Sequence, residues 1–251
     1  MDPVLDESIY NAAYVRALFN RMSRSYERMN IIMSFGFSSR WRRNLMQLIP
    51  RPSEVSDVVD LMSGMGETWG QVRRRFPQAR IQALDFSPEM TRHSQEKNER
   101  RFGSSVVIHC DDIFSSTLAT EGFDAVVCAY GLKTLDEEQS RRLGVELVRI
   151  LRPGGRFAFI EVTQPPNAVL RALYDVYLSL VLPIAGRILI SDPTEYRMLY
   201  RYVRDYGRGE RSLDGLTHPE LSVTRKLHFF GCATSFSGER LSAQNPEVLR
   251  R

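Results

Sequence analysis

The segment VVDLMSGMGETWG, residues 58–70, constrains the fold more than any other part of the chain. An apolar run ends in Asp60, glycines follow at Gly64 and Gly66, and a helix-like stretch begins near Trp69. Glycines at a strand-to-helix turn let the backbone bend tightly and bring main-chain N–H groups directly against a ligand. The next strand, RIQALD, ends in Asp85. A carboxylate about 20 residues past the glycine turn suits a ribose diol in a nucleoside-binding βαβ unit.

The surrounding pattern supports such a unit. Strand-like segments SDVVDL, ARIQALD, SVVIHCD, FDAVVCAY and RFAFIEVT alternate with helical ones: WGQVRRRF, the stretch from Ser87 and Pro88 through Phe102, and about Asp136 to Leu151. Pro153, Gly154 and Gly155 read as a sharp turn into the fifth strand. Near-continuous apolar strands alternating with helices indicate a parallel sheet covered on both faces. After a helical insert rich in Tyr and Leu, LSVTRKLHFF and GCATSFSGE read as two closing strands joined at Gly231. The expected fold is α/β: a doubly wound, mostly parallel, seven-stranded Rossmann-like sheet. Residues 1–50 are expected as an N-terminal helical lid and 51–166 as the cofactor-binding core. A helical cap insert at 167–208, closing strands at 209–238 and a mobile tail at 239–251 would complete it.

Composition narrows the function. The chain has 251 residues and a net charge of only +4, from 34 basic and 30 acidic side chains. The arginines are scattered among acids, which disfavours nucleic acid as a partner. The first fifty residues are the exception, with Arg16, Arg21, Arg24, Arg28, Arg40, Arg42 and Arg43. That enrichment reads first as a solvated helix face, and second as attraction to an acidic substrate or to an anionic membrane surface approached peripherally. Cys110, Cys128 and Cys232 form no CxxC pair, so neither a disulfide framework nor zinc is expected, and a reducing cytoplasm is the natural compartment. Met1 leads into the acidic DPVLDES, which is no signal peptide, and LSLVLPIAGRILI is too short and broken to span a bilayer. The four histidines lack ligand spacing, so no metal is expected.

Acids fall at or near the carboxyl ends of strands: Asp60, Asp85, Asp111 and Glu161. Any one of them could cap a helix. Together they mark the sheet edge where doubly wound folds bind ligands. A pyrophosphate loop would carry a third glycine where this chain has Trp69. An acid before the glycines suits a cationic nucleoside bearing an amino acid, a description that fits S-adenosylmethionine.

Longer motifs carry a family resemblance over residues 18 to 238. YERMNIIMSFGFSSRW (26–41) resembles a Tyr-Asp-x-Met-Asn…Ser…His…Trp signature, with Glu27 for Asp and Ser38 for His. RILRPGGRFAFIEVT (149–163) resembles a second signature, and YDVYLSLVLPIAG and EYRMLYRYV resemble its helical cap. The chain thus resembles the S-adenosylmethionine-dependent C-methyltransferases of ubiquinone and menaquinone biosynthesis. It departs from them after the fourth strand, where Tyr130, Gly131, Leu132, Lys133 and Thr134 replace Phe-Gly-Leu-Arg-Asn.

The resemblance implies methyl transfer from S-adenosylmethionine to a quinol or phenol carbon of a lipophilic small molecule. Asp85 would accept from the ribose hydroxyls, with Phe86 beside it. Asp111, with the Asp112 or Ile113 N–H, would meet the adenine edge. Gly64 and Gly66 would let the methionine portion lie on the backbone, Asp60 would reach its ammonium, and Tyr130 completes the set. Tyr26 and Asn30 would close over the cofactor. Lys133 would stabilise a phenolate or act as base, against an equal reading as a lysine capping a turn; Glu27 and Glu161 are alternative bases. A homodimer is a further expected partner state. Two alternatives stay open: N- or O-methylation of a natural product or phospholipid, and cofactor binding without transfer.

Overall fold

A computed structural model describes residues 7–23, 36–50, 54–181 and 194–242. Its sheet is built from β1 (Asp57–Leu61), β2 (Arg80–Asp85), β3 (Val106–Cys110), β4 (Phe123–Ala129), β5 (Leu151–Val162), β6 (Leu221–His228) and β7 (Ala233–Arg240). The order is β3-β2-β1-β4-β5-β7-β6. The first five strands are parallel, and β7 runs antiparallel between β5 and β6. The order reverses at β1 and β4, so the loops leaving these strands diverge and open a crevice at their carboxyl ends. The mostly parallel seven-stranded sheet is therefore the one expected.

The helices are α1 (Ala12–Met22), α2 (Phe37–Met46), α3 (Trp69–Arg75), α4 (Pro88–Phe102), α5 (Glu137–Ile150), α6 (Ala168–Val176), α7 (Thr194–Tyr206) and α8 (Glu210–Leu216). Local chemistry sets several boundaries. Ser87 Oγ accepts from the Met90 N–H (3.1 Å), Pro88 sits in the first turn of α4, and left-handed Gly103 ends it. Asp136 and Gln139 form a reciprocal capping box that starts α5.

Strand periodicity splits the core between two faces. Val59, Leu61, Val126 and Cys128 meet Leu143, Leu147 and Ile150 of α5. Val58, Ala125 and Val127 meet Trp41 and Leu45 of α2 and Trp69 and Val72 of α3. On the first face α8 touches α5 backbone to backbone, because a Cβ on Gly144 would lie 2.3 Å from the Gly215 carbonyl oxygen.

Three details differ from the sequence reading. Pro153–Gly155 do not precede β5; they are a bulge within it, where pairing to β4 skips between Phe123 and Ala125. Residues 210–216 are helical rather than part of the closing strands. Glu239 and Arg240 extend β7 into the stretch read as tail, pairing with Ser222 and Leu221. Among the described residues, no helix is long and apolar enough to cross a membrane.

Candidate active site

The turn after β1 is shaped by its glycines and by one carboxylate. Gly64 (φ +56°) and Gly66 (φ +72°) occupy the left-handed region. A Cβ on Gly66 would lie 2.5 Å from the buried Trp69 ring, so only glycine fits there. The Gly64 N–H donates to Asp85 Oδ2 (2.8 Å), and the Ser87 N–H donates to Asp85 Oδ1 (2.9 Å). Asp85 thus ties the glycine turn to the head of α4 and still has lone pairs for a ligand. Burial pushes its carboxyl up to about 6, although both N–H groups and their hydrogen bonds favour the charged form.

These turns form one wall of a cleft enclosing about 910 Å³, its open mouth included. Met62, Ser63, Gly64, Glu67 and Thr68 line it from the first turn, and Asp85 and Phe86 from the second. Asp111, Asp112, Ile113 and Phe114 follow β3, and Tyr130, Gly131, Thr134 and Leu135 follow β4. The amino-terminal segment closes it with Tyr10, Ala12, Val15 and Phe19, while Arg42 enters from α2.

The amino-terminal wall is pinned by long-range bonds. Asn20 Oδ1 accepts from the Ser87 hydroxyl (2.6 Å), fixing α1 beside Asp85. Tyr202 donates to the Ile9 carbonyl, and Tyr10 donates to Asp205. Arg211 donates to both the Tyr10 hydroxyl (3.0 Å) and Asp205 (3.1 Å).

Charge in the cleft is lopsided. Glu67, Asp85, Asp111 and Asp112 line it against one cation among the lining residues, Arg42. Arg42 is 5% exposed, stacks over the Tyr130 ring at 5.0 Å, and leaves its Nε without a partner among the described residues. Behind the wall, both Asp60 oxygens and Glu67 Oε1 are also buried without partners. Trp69 Nε1, near Asp60, closes no hydrogen bond either. Burial, reinforced by neighbouring Glu67, drives the Asp60 carboxyl well above the usual carboxylate range. Orphaned buried polar atoms are costly and call for a ligand or another explanation. An acid-rich cleft with one buried cation fits a ligand carrying an ammonium, a sulfonium and a carboxylate.

The structure thus gathers Gly64, Asp85, Phe86, Asp111, Asp112, Ile113 and Tyr130 around one cleft. Asp60 and Gly66 lie just behind its wall and shape it. Tyr26, Glu27 and Asn30 lie outside the described residues.

Lys133 and Glu161 lie outside the cleft lining, bound to each other. Lys133 is 2% exposed and does not line the cleft. Its Nζ donates to Glu161 Oε1 (3.1 Å) and to the Tyr130 carbonyl (2.5 Å), while Glu161 accepts from the Lys133 N–H (3.1 Å) and the Val162 N–H (2.7 Å). This is a buried brace between the turn after β4 and the end of β5, not a side chain facing substrate. The bond to the Tyr130 carbonyl agrees with the reading of Lys133 as a lysine capping a turn, and Glu161 is bound rather than free.

The sequence reading missed Arg42, Tyr10 and Gln139 as wall residues, and assigned no role to Glu67. The sequence signal for Arg42 was its place beside Trp41 in the amino-terminal motif. Nothing local marks Tyr10 or Gln139.

A profile of the ubiE/COQ5 methyltransferase family matches residues 7–218. The chain is 30% identical over 223 residues to a demethylmenaquinone methyltransferase of Thermus thermophilus, covering 89% of this chain and 100% of that protein. It is 31% identical over 198 residues to a ubiquinone/menaquinone biosynthesis C-methyltransferase, UbiE, of Syntrophotalea carbinolica, covering 78% and 81% of the two chains. An O-methyltransferase family protein from Burkholderia thailandensis superposes with a TM-score of 0.58 at 18% identity, over 95% of this chain and 63% of that one. The N-methyltransferase NodS of Bradyrhizobium japonicum, solved with S-adenosyl-L-homocysteine, gives 0.54 at 17% identity, over 81% and 87%. These two likenesses concern the fold. The sheet, the crevice and the family match agree: the chain belongs to the ubiE/COQ5 methyltransferase family and is an S-adenosylmethionine-dependent methyltransferase.

Proposed function

We propose that this enzyme methylates a ring carbon of a lipophilic quinol, in quinone biosynthesis, and meets that acceptor at a membrane surface. The observation that carries the reading is the acid-rich cleft with its unpartnered buried polar atoms, in a chain that matches a demethylmenaquinone methyltransferase along that relative's whole length. When bound, S-adenosylmethionine supplies an electrophilic methyl group on a sulfonium.

The chain's residues bind and orient. Asp85 would accept from the ribose hydroxyls, and Asp111 from the adenine amino group beside the backbone of Asp112 and Ile113. Glu67, backed by Asp60, would balance the ammonium, and Arg42 would meet the carboxylate. Gly64 and Gly66 keep the turn free of side chains. Val15, Phe19, Met62 and Leu135 supply apolar walls that exclude water from the methyl group.

A quinol carbon gains nucleophilicity when its neighbouring hydroxyl loses a proton. With Lys133 and Glu161 bound to each other, rate acceleration rests on proximity and orientation more than on a strong base from β4 or β5. Tyr130 is also committed, its hydroxyl donating to the Ser38 carbonyl (3.0 Å).

The test is incubation with methyl-labelled S-adenosylmethionine and separate demethylated naphthoquinol, benzoquinol, catechol and amine acceptors, with products mapped by mass spectrometry and NMR. Label on a quinol ring carbon is expected. Label confined to oxygen or nitrogen would replace this reading with the heteroatom one.

A further inference from the structure

Most of the large apolar side chains exposed among the described residues fall in two short segments. Apart from Val107 and Val145, they are Val169, Leu173, Val176 and Leu180 in one, and Leu227, Phe229 and Phe230 in the other. The first four recur at helical spacing along α6 and the π-helical turn that continues it through Val181. The remaining exposed positions of that face, Ala168, Ala172 and Ser179, are uncharged. This helix is apolar on two sides: Leu170 and Tyr174 pack inward, and its outer face is apolar as well.

The second segment abuts the first. The Thr163 hydroxyl donates to the Gly231 carbonyl (2.9 Å), and a Cβ on Gly231 would strike Pro166. Phe229 (φ +45°) and Phe230 (φ +57°) occupy the left-handed region, which residues with a Cβ rarely adopt. That backbone holds Phe230 76% exposed.

Cations rim this surface. Arg40 follows one turn after Phe37, whose ring lies 4.6 Å from that of Phe229. Lys226 precedes Leu227, and Arg171 lies on the flank of α6. None of the three forms an ion pair with an acidic side chain among the described residues. A two-fold contact with a second copy would bring this uncharged face and its three cations against themselves, with Asp175, already bound by Gln164, as the one acid of α6 to answer them. Anionic lipid headgroups over an apolar interior complement both parts.

We infer that the outer face of α6 and the Phe229–Phe230 tip form the docking surface for an anionic membrane. The surface is coupled to the cleft, because Leu170 and Tyr174 pack against the same apolar cluster as Tyr130, a cleft residue. Docking there would present the cap to acceptors held in the bilayer. The inference rests on the proposed membrane encounter, but vesicle binding can be read apart from methyl transfer.

The experiment is vesicle flotation of the full-length protein with phosphatidylcholine alone and with phosphatidylcholine mixed with phosphatidylglycerol, at low and high salt. Wild type should bind the mixed vesicles and lose most binding at high salt or without phosphatidylglycerol. Leu173→Glu with Val176→Glu should weaken binding about tenfold or more. Arg40→Gln and Lys226→Gln should each weaken it about fivefold. All variants should methylate a short-chain, water-soluble quinol like wild type. Equal flotation of wild type and the double-glutamate variant, or no flotation of wild type, would overturn the assignment, as would a wild-type dimer that this variant abolishes. Flotation without quinol methylation would support the surface and overturn the quinol acceptor.

Discussion

Replacing Lys133 with Met distinguishes a buried brace from a catalytic lysine. Lys133 Nζ lies 3.1 Å from Glu161 Oε1, with side chains 2% and 0% exposed. At an effective dielectric of about 20, that separation corresponds to roughly 5 kcal/mol of gross attraction. Desolvation of several kcal/mol per ion opposes it, so the pair's net worth is small while the cost of breaking it is large. Lys133→Met leaves the Glu161 carboxylate buried with only the N–H groups of residues 133 and 162 as donors. Unfolding stability should fall by about 3–5 kcal/mol. Adding Glu161→Gln removes the stranded charge and keeps an acceptor for one of those N–H groups, so the double variant should lie only about 1–2 kcal/mol below wild type. Urea unfolding followed by tryptophan fluorescence measures both variants against wild type. Methyl transfer should recover in the double variant along with stability. A single variant costing under about 1 kcal/mol, or a double variant less stable than the single, would refute the brace.

Two further outcomes follow from the first turns of the sheet. Asp85, raised to about 6 by burial, holds more protons folded than unfolded between about pH 4 and its folded value. Its contribution to ligand-free stability is therefore full below about pH 4 and lost as pH rises through 6. Ribose hydroxyls favour the ionised form, so S-adenosylmethionine affinity should drop about tenfold per pH unit below about 6; calorimetry giving a flat profile there would remove Asp85 from the ribose site. Gly66→Ala should cost about 2–4 kcal/mol, from the left-handed backbone and the collision with Trp69. An unchanged melting temperature would show that Trp69 can move aside.

The sheet was legible because local patterns determine it: apolar strand runs, Ser87–Pro88 and the paired glycines each act over a few residues. Asp85 was legible for the same reason, since strand end and glycine turn are covalently close in a βαβ unit. The fate of Lys133 was not, because its partner is 28 residues away on β5 and only the β4–β5 register brings them together. Tyr10 and Gln139 were hidden more deeply: their place in the cleft depends on how the amino-terminal segment folds back over the sheet. Arg42 has the opposite fault. Its arginine-rich neighbourhood reads as a solvated face, yet an aromatic ring and a cluster of buried acids hold this one inside.

The bonds joining Tyr10, Asp205 and Arg211 link positions nearly two hundred residues apart at the rim of the cleft. Of the three only Tyr10 lines the cleft, so if spent donor leaves past Tyr10 these bonds would part first and the two ends of the polypeptide would move together. Because the hinge-pin is ionic rather than greasy, dissolved electrolyte should quicken its release, making turnover sensitive to the medium at a point remote from the transferred methyl.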